Sequence, residues 1–313
     1  MSKPLSILLI FLSLSGAAQD TASVAAINPA SPPDYHKRRW IIGGTSAAVT
    51  AGTFVLLQEA WYKDYPRSSF HSFDDASEWL QVDKVGHAWT AYSISRELTS
   101  LWQWAGVPRH NAMLLGTGTS LAFLLSIEYL DGRSAEWGWS WADAGADIGG
   151  AALFAVQELA WKEQRLSLKF SAHHTSYEPS LRSRAKELFG SSLPERLLKD
   201  YNAQTYWLSM NLRSFFPRSA LPAWLNISAG YGAAGMFGGR ENLAYDKNGV
   251  LLFDRRDIQR YRQWYLAPDI DLTRIPTRNK LLQRAFSMIS ILKFPAPALE
   301  FSSGKVRLKA IVF

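Results

Sequence analysis

Between Asp83 and Gly150 the chain sets ionisable residues inside sequence that is otherwise apolar, aromatic or small, and this restricts how it can fold. The stretch opens with Asp83-Lys84-Val85-Gly86-His87 and crosses the apolar residues 113–127 into Glu128-Tyr129-Leu130-Asp131-Gly132. It closes on residues 137–150, rich in Trp, Ala and Gly, which carry Asp143 and Asp147. A carboxylate or imidazole on a buried helix face is costly unless it is paired, hydrogen-bonded or put to chemical use. Whatever this segment folds into must supply those partners.

Apolar periodicity and flanking signals predict helices at about 75–81, 84–104, 110–130 and 141–162. Asp74 and Asp75 would cap the first, Gly106 and Pro108 separate the second from the third, and Ser140-Trp141-Ala142-Asp143 has the form of a capped start for the fourth. Ahead of them, residues 40–58 carry no charge; Lys37-Arg38-Arg39 precede this run, and Trp61 and Tyr62 follow it. It reads either as a membrane helix or as a buried helix of a soluble bundle.

Beyond Lys162 the period changes from that of a helix to two. Residues 166–171, 205–212, 225–233, 261–272, 298–301 and 306–313 alternate polar and apolar as half-buried strands do. Ser302-Ser303-Gly304-Lys305 makes a hairpin turn between the last two strands, and residues 182–188, 194–199 and 280–291 read as intervening helices. The expected fold class is α+β: a helical bundle of four to five helices over 37–163, then an antiparallel β-rich region over 164–313. Fewer than eight clear strands argue against a complete outer-membrane barrel in one chain. On the last strand, Val306, Leu308, Ala310 and Val312 share one face, while Arg307 and Lys309 lie on the other.

Residues 1–18 have the form of a secretory signal peptide, with Lys3, an apolar core and Gly16-Ala17-Ala18 before a cut at Gln19; residues 19–36 have the composition of a flexible tail. The chain is therefore expected to be exported, to the periplasm or outer membrane. The formal charge of +7 is spread over the sequence without a nucleic-acid motif, so no nucleic-acid partner is expected. A membrane is the expected partner, alongside envelope proteins. The absence of Cys excludes disulfides, thiolate metal sites, a Cys nucleophile and a lipid-modified N-terminal Cys in this sequence.

Asp83 and His87 are four apart, as are Asp143 and Asp147, and Glu128 and Asp131 are three apart, so each pair shares a helix face. Turned inward, Asp83, His87, Glu128, Asp131, Asp143 and Asp147 could ligate a hard divalent metal through oxygen and one imidazole. No other cofactor is indicated. His87, Asp83, Glu128 and Asp147 could instead serve acid/base catalysis, a carboxylate fixing the histidine tautomer. A structural role stands beside both: Asp83 and Asp143 at helix starts, Asp131 in a turn with Gly132, and His87, Glu128 and Asp147 in a buried hydrogen-bond network. No nucleophile elbow, His-Glu-x-x-His motif or phosphate loop narrows the choice.

The ordered set Asp83-Lys84-x-x-His87, Asp131-Gly132 behind an acidic residue, and Gly138-Trp139-Ser140-Trp141-x-Asp143 with Asp147 resembles the YfiM-type family of predicted periplasmic or outer-membrane lipoproteins, a domain of unknown function. The resemblance covers roughly residues 80–160. Residues 198–209 resemble longer members that append a β-rich half, and the motif is distantly similar to VanZ-type membrane proteins. The sequence departs from the lipoprotein pattern in lacking Cys. This resemblance implies an envelope location without a reaction. The expected function is a membrane-associated scaffold or assembly component of the envelope; the alternative is a metal-assisted or acid/base hydrolase acting on lipid or envelope material. Sequencing the N-terminus of the mature protein from an envelope fraction should give a start near Gln19. An intact Met1 in the cytosolic fraction would end the export reading.

Overall fold

The computed structural model describes residues 34–63 and 65–312, so the signal-peptide segment lies outside the described residues. Four long helices come first: α1 (Tyr35–Leu57), α2 (Val82–Trp104), α3 (Arg109–Gly132) and α4 (Trp141–Ala160). An antiparallel six-stranded sheet follows, so the fold class is α+β as expected. The chain divides into two compact units, one taking residues up to Ala76 with Thr90–Glu163, the other Ser77–Trp89 with Gln164–Phe313. α2 is one unbroken helix counted in both.

In the helical unit, the Asp34 side chain accepts from Lys37 N at 3.0 Å and starts α1, so Tyr35 and His36 are helical and not part of a flexible tail. Arg38 donates to Trp104 O at 3.0 Å, and Arg39 to Ala105 O at 3.2 Å and Gly106 O at 3.1 Å. Two guanidinium groups thus satisfy carbonyls left over at the end of α2. Ser120 on α3 donates to Ala91 O on α2 at 3.2 Å, and a Cβ on Gly116 would overlap Thr99, so these two helices cross closely. Ser140 caps α4 by accepting from Asp143 N at 3.0 Å and donates its own hydroxyl proton to Asp75 at 2.5 Å. By length and composition α1 and α3 are each long and apolar enough to cross a membrane; in their most apolar windows 17% of α1 and 39% of α3 is buried.

Residues 75–81 depart from the expected helix. Only Glu78–Gln81 form a 3₁₀ turn, and Trp79, Leu80 and Gln81 all have positive φ, at 49°, 50° and 64°. Left-handed backbone is unfavourable for such side chains, and surrounding contacts hold it in place. Trp79 N donates to Gly239 O at 2.7 Å, the Tyr231 hydroxyl donates to Leu80 O, and Arg262 donates to the Gln81 side chain at 2.6 Å. The Trp79 ring packs on Tyr201 and Phe189.

The strands of the sheet are β1 (Leu166–Ala172), β2 (Gln204–Asn211), β3 (Leu225–Ala234), β6 (Tyr261–Ile270), β7 (Ala296–Ser302) and β8 (Lys305–Val312), adjacent in that order and antiparallel throughout. The sheet is joined through helices α5 (Pro179–Phe189), α6 (Leu193–Lys199), the single turn α7 (Leu212–Phe215) and α8 (Lys280–Ile289). A separate hairpin, β4 (Leu243–Tyr245) with β5 (Leu251–Asp254), is additional to the strands expected from alternation. The Asp246 carboxylate ties its turn by accepting from Asn248 N at 2.8 Å and Val250 N at 2.7 Å, and Gly249 supplies the positive φ.

The sheet's inner face carries a buried polar network beside an apolar cluster of Trp207, Tyr265, Ala267 and Ala298. Lys169 lies 2.7 Å from Asp269 and Lys293 lies 3.5 Å from it, all three buried, and the Ser209 hydroxyl donates to the same carboxylate at 2.6 Å. Asn211 donates to Asn226 at 2.8 Å, Asn226 to Ser209 at 2.9 Å, and Trp207 to Ser171 at 2.8 Å. Asp269 is the shared anion of this network. Replacing it with Ala should lower unfolding free energy by about 3–5 kcal/mol, since two buried ammonium groups lose their counter-ion. Urea unfolding measures this, and a loss under about 1 kcal/mol would show that water reaches both lysines.

Candidate functional site

The six sequence-predicted residues are carried by α2, α3 and α4. Asp83 lies in the first turn of α2 with His87 one turn on; Glu128 and Asp131 occupy the last turns of α3; Asp143 opens α4 with Asp147 one turn later. His87, Glu128, Asp131, Asp143 and Asp147 are all buried, Asp147 completely. Pure periodicity thus delivers five of these side chains to the interior.

Asp83 and His87 belong to the unit of the sheet, and Glu128, Asp131, Asp143 and Asp147 to the helical unit. An imidazole and carboxylates are the donor types of a hard or borderline divalent cation. Asp83 one turn before His87 is also a carboxylate beside a histidine, the pairing that lets an imidazole hold or pass a proton. Asp131 accepts the Tyr62 hydroxyl at 2.7 Å and so ties the segment after α1 to the end of α3; burial, with this bond and the nearby Glu128, holds the phenol well above its usual range. In place of the expected turn, Asp131 and Gly132 form the last residues of α3.

Asp83 has partners that sequence reasoning missed. The Tyr201 hydroxyl donates to its Oδ1, and Lys84 Nζ lies 3.3 Å from its Oδ2. Burial by itself would raise this carboxyl, but Lys84, His87 and the Tyr201 bond pull it below the usual carboxylate range. Nothing local marks Tyr201 as a partner 118 positions away. Gly86 belongs here too, because a Cβ there would come within 2.8 Å of the Tyr206 hydroxyl. The Asp-Lys-x-Gly-His spacing thus combines two inward ionisable residues with a close approach of α2 to β2. Beside it, Trp89 packs on Phe170 and Tyr206 at ring separations of 5.1 and 6.0 Å.

An α+β protein with a buried ionisable set on three helices is the class that fold and site define. Residues 71–158 match the family described as "Predicted periplasmic lipoprotein (DUF2279)". The matched segment holds all six predicted site residues, and its family description supports an exported, periplasmic location. No curated protein and no solved structure matches the chain. The YfiM subtype is not distinguished by this match.

Because the folded pKa of Asp83 is depressed, its contribution to stability is full above the unfolded value near 4 and is lost as pH falls through the lower folded value. Tyr201→Phe removes one of the interactions that depress it. Thermal unfolding between pH 5 and 2 should therefore fall less steeply in Tyr201→Phe, with lower stability at pH 7 by about 1–3 kcal/mol for a bond to a charged group. Parallel acid limbs for variant and wild type would show that the bond does not set the carboxyl's pKa.

Proposed function

We propose that this is an envelope scaffold or assembly component in which buried ionisable residues of α2, α3 and α4 take a divalent cation. The observation that supports this is the burial of His87, Glu128 and Asp147, an imidazole and two carboxylates with the donor chemistry of such a cation. Burial favours a pinning role over turnover. His87, Glu128 and Asp147 expose only 7%, 3% and 0% of their surface, and a hydrolase acting on lipid or envelope material must admit its substrate to the reacting groups. A cation in such a place stabilises the folded state by its own binding energy and neutralises charges that burial penalises.

Elemental analysis of the purified mature protein should find about one equivalent of Mg, Ca, Mn or Zn per chain, with chelation lowering the melting temperature. Asp147→Asn should release the metal and His87→Gln should weaken its binding by about tenfold or more. A metal-free protein whose melting temperature is indifferent to chelator and added cations would remove the cation and leave a hydrogen-bonded network. Hydrolysis of envelope lipid by wild type, lost in a fully folded His87→Gln, would instead establish the enzyme alternative.

A further inference from the structure

The outer face of the sheet is apolar where it is exposed, while the inner face buries charged groups among apolar ones. In the register that crosses all six strands, Leu168, Leu208, Ala229, Leu266, Leu299 and Leu308 lie side by side on the outer face. The next outward row, two residues along, is Phe170, Tyr206, Tyr231, Trp264, Phe301 and Val306. A row of aliphatic side chains beside a row of aromatic ones thus runs across the sheet. The opposite face buries Lys169, Asp269, Glu300 and the Ser and Asn network beside Trp207, Tyr265, Ala267 and Ala298.

We propose that the outer face of this sheet is seated in the hydrocarbon of a lipid bilayer, with the aromatic row at the level of the headgroups. An aqueous sheet gains by burying leucine and exposing lysine; here Asp269 and Lys169 expose 2% each, while Leu308 exposes 76%, Val306 63% and Trp264 54%. Apolar side chains outward, polar ones inward and an aromatic band beside the aliphatic one form the pattern of sheets that meet lipid. The charges of the edge strand obey the same rule. Arg307 pairs in register with Glu300, and Lys309 Nζ lies 3.2 Å from the Glu300 carboxylate, which puts both cations on the inner face and leaves Val306 and Leu308 outside. β3 and β6, at ten residues each, have the length of a tilted spanning strand, and the flanking strands are shorter. At the Phe170 and Tyr206 end the aromatic row is covered by Trp89, and Tyr231 bonds to Leu80, so the free part of that row extends from β6 to β8. Between β6 and β7, α8 is amphipathic, with Leu281 and Ile289 exposed beside Lys280 and Arg284, the composition of a helix lying at a membrane surface. A second copy of the chain is the competing occupant, because two such faces could cover each other in water.

The test uses the full mature chain with vesicles of phosphatidylethanolamine and phosphatidylglycerol. Since α1 could bind vesicles by itself, the readout is the difference made by the sheet. Leu266→Arg and Leu308→Arg point outward and are exposed, so the aqueous fold can accept them. Each should lower the vesicle-bound fraction by about tenfold or more, given what an arginine costs at mid-bilayer. Leu251→Arg, on the separate β4–β5 hairpin, should leave it unchanged. Bromine-labelled acyl chains should quench the protein's tryptophan fluorescence, and Trp264→Phe should remove a measurable part of that quenching. The Trp264 measurement decides alone if an arginine variant fails to fold. Equal vesicle binding by folded arginine variants, or quenching unaltered by Trp264→Phe, overturns the proposal. So does a vesicle-free dimer that Leu308→Arg dissociates, which would assign the face to a second copy.

Discussion

A charge taken out of water has to be met by another group, and both halves of this chain are arranged around that constraint. In the sheet, Asp269 gathers Lys169, Lys293 and the Ser209 hydroxyl, and the strand register follows from placing these residues on one face. In the helices, His87 on α2, Glu128 on α3 and the carboxylates one turn apart on α4 are all buried. Removing any one member leaves a buried partner uncompensated. That makes each network more a determinant of which structure forms than a source of net stability.

The start of α2 shows how the constraint is met locally. Trp79, Leu80 and Gln81 hold a left-handed backbone that their side chains disfavour, with Tyr231, Arg262 and Gly239 bonded to them. One residue after this turn α2 begins, and within its first two turns come Asp83, Gly86 and His87. Gly86 has no room for a side chain because the Tyr206 hydroxyl occupies that space. Strain in the entry turn and crowding at Gly86 both fix the azimuth of the helix, which in turn fixes where Asp83 and His87 point.

Much of the architecture was legible in sequence because periodicity reports which side of an element is wet. The starts and ends of α2, α3 and α4 and the six main strands all lie close to where patterning and caps put them. The β4–β5 hairpin was overlooked although Asn248-Gly249 is a turn signal; its strands are too short for alternation to register. The helix expected over 75–81 failed for a different reason. Its propensity is genuine, but the carbonyl of Leu80 and the side chain of Gln81 are claimed by residues far along the chain.

Sequence alone determined the fold class, the change from helix to strand after Lys162, and which ionisable residues share a helix face, since all of these follow from spacing. It also placed Val306 and Leu308 opposite Arg307 and Lys309. Only the tertiary structure decided that Asp83 meets Tyr201 and that Asp131 turns to Tyr62, because helix rotation and packing are set by distant residues. Only it revealed that the apolar side of the sheet faces outward. Alternation with a period of two states that a strand has two unlike faces; which of them meets the interior depends on what the neighbouring strands bury, and here they bury Asp269 and its lysines.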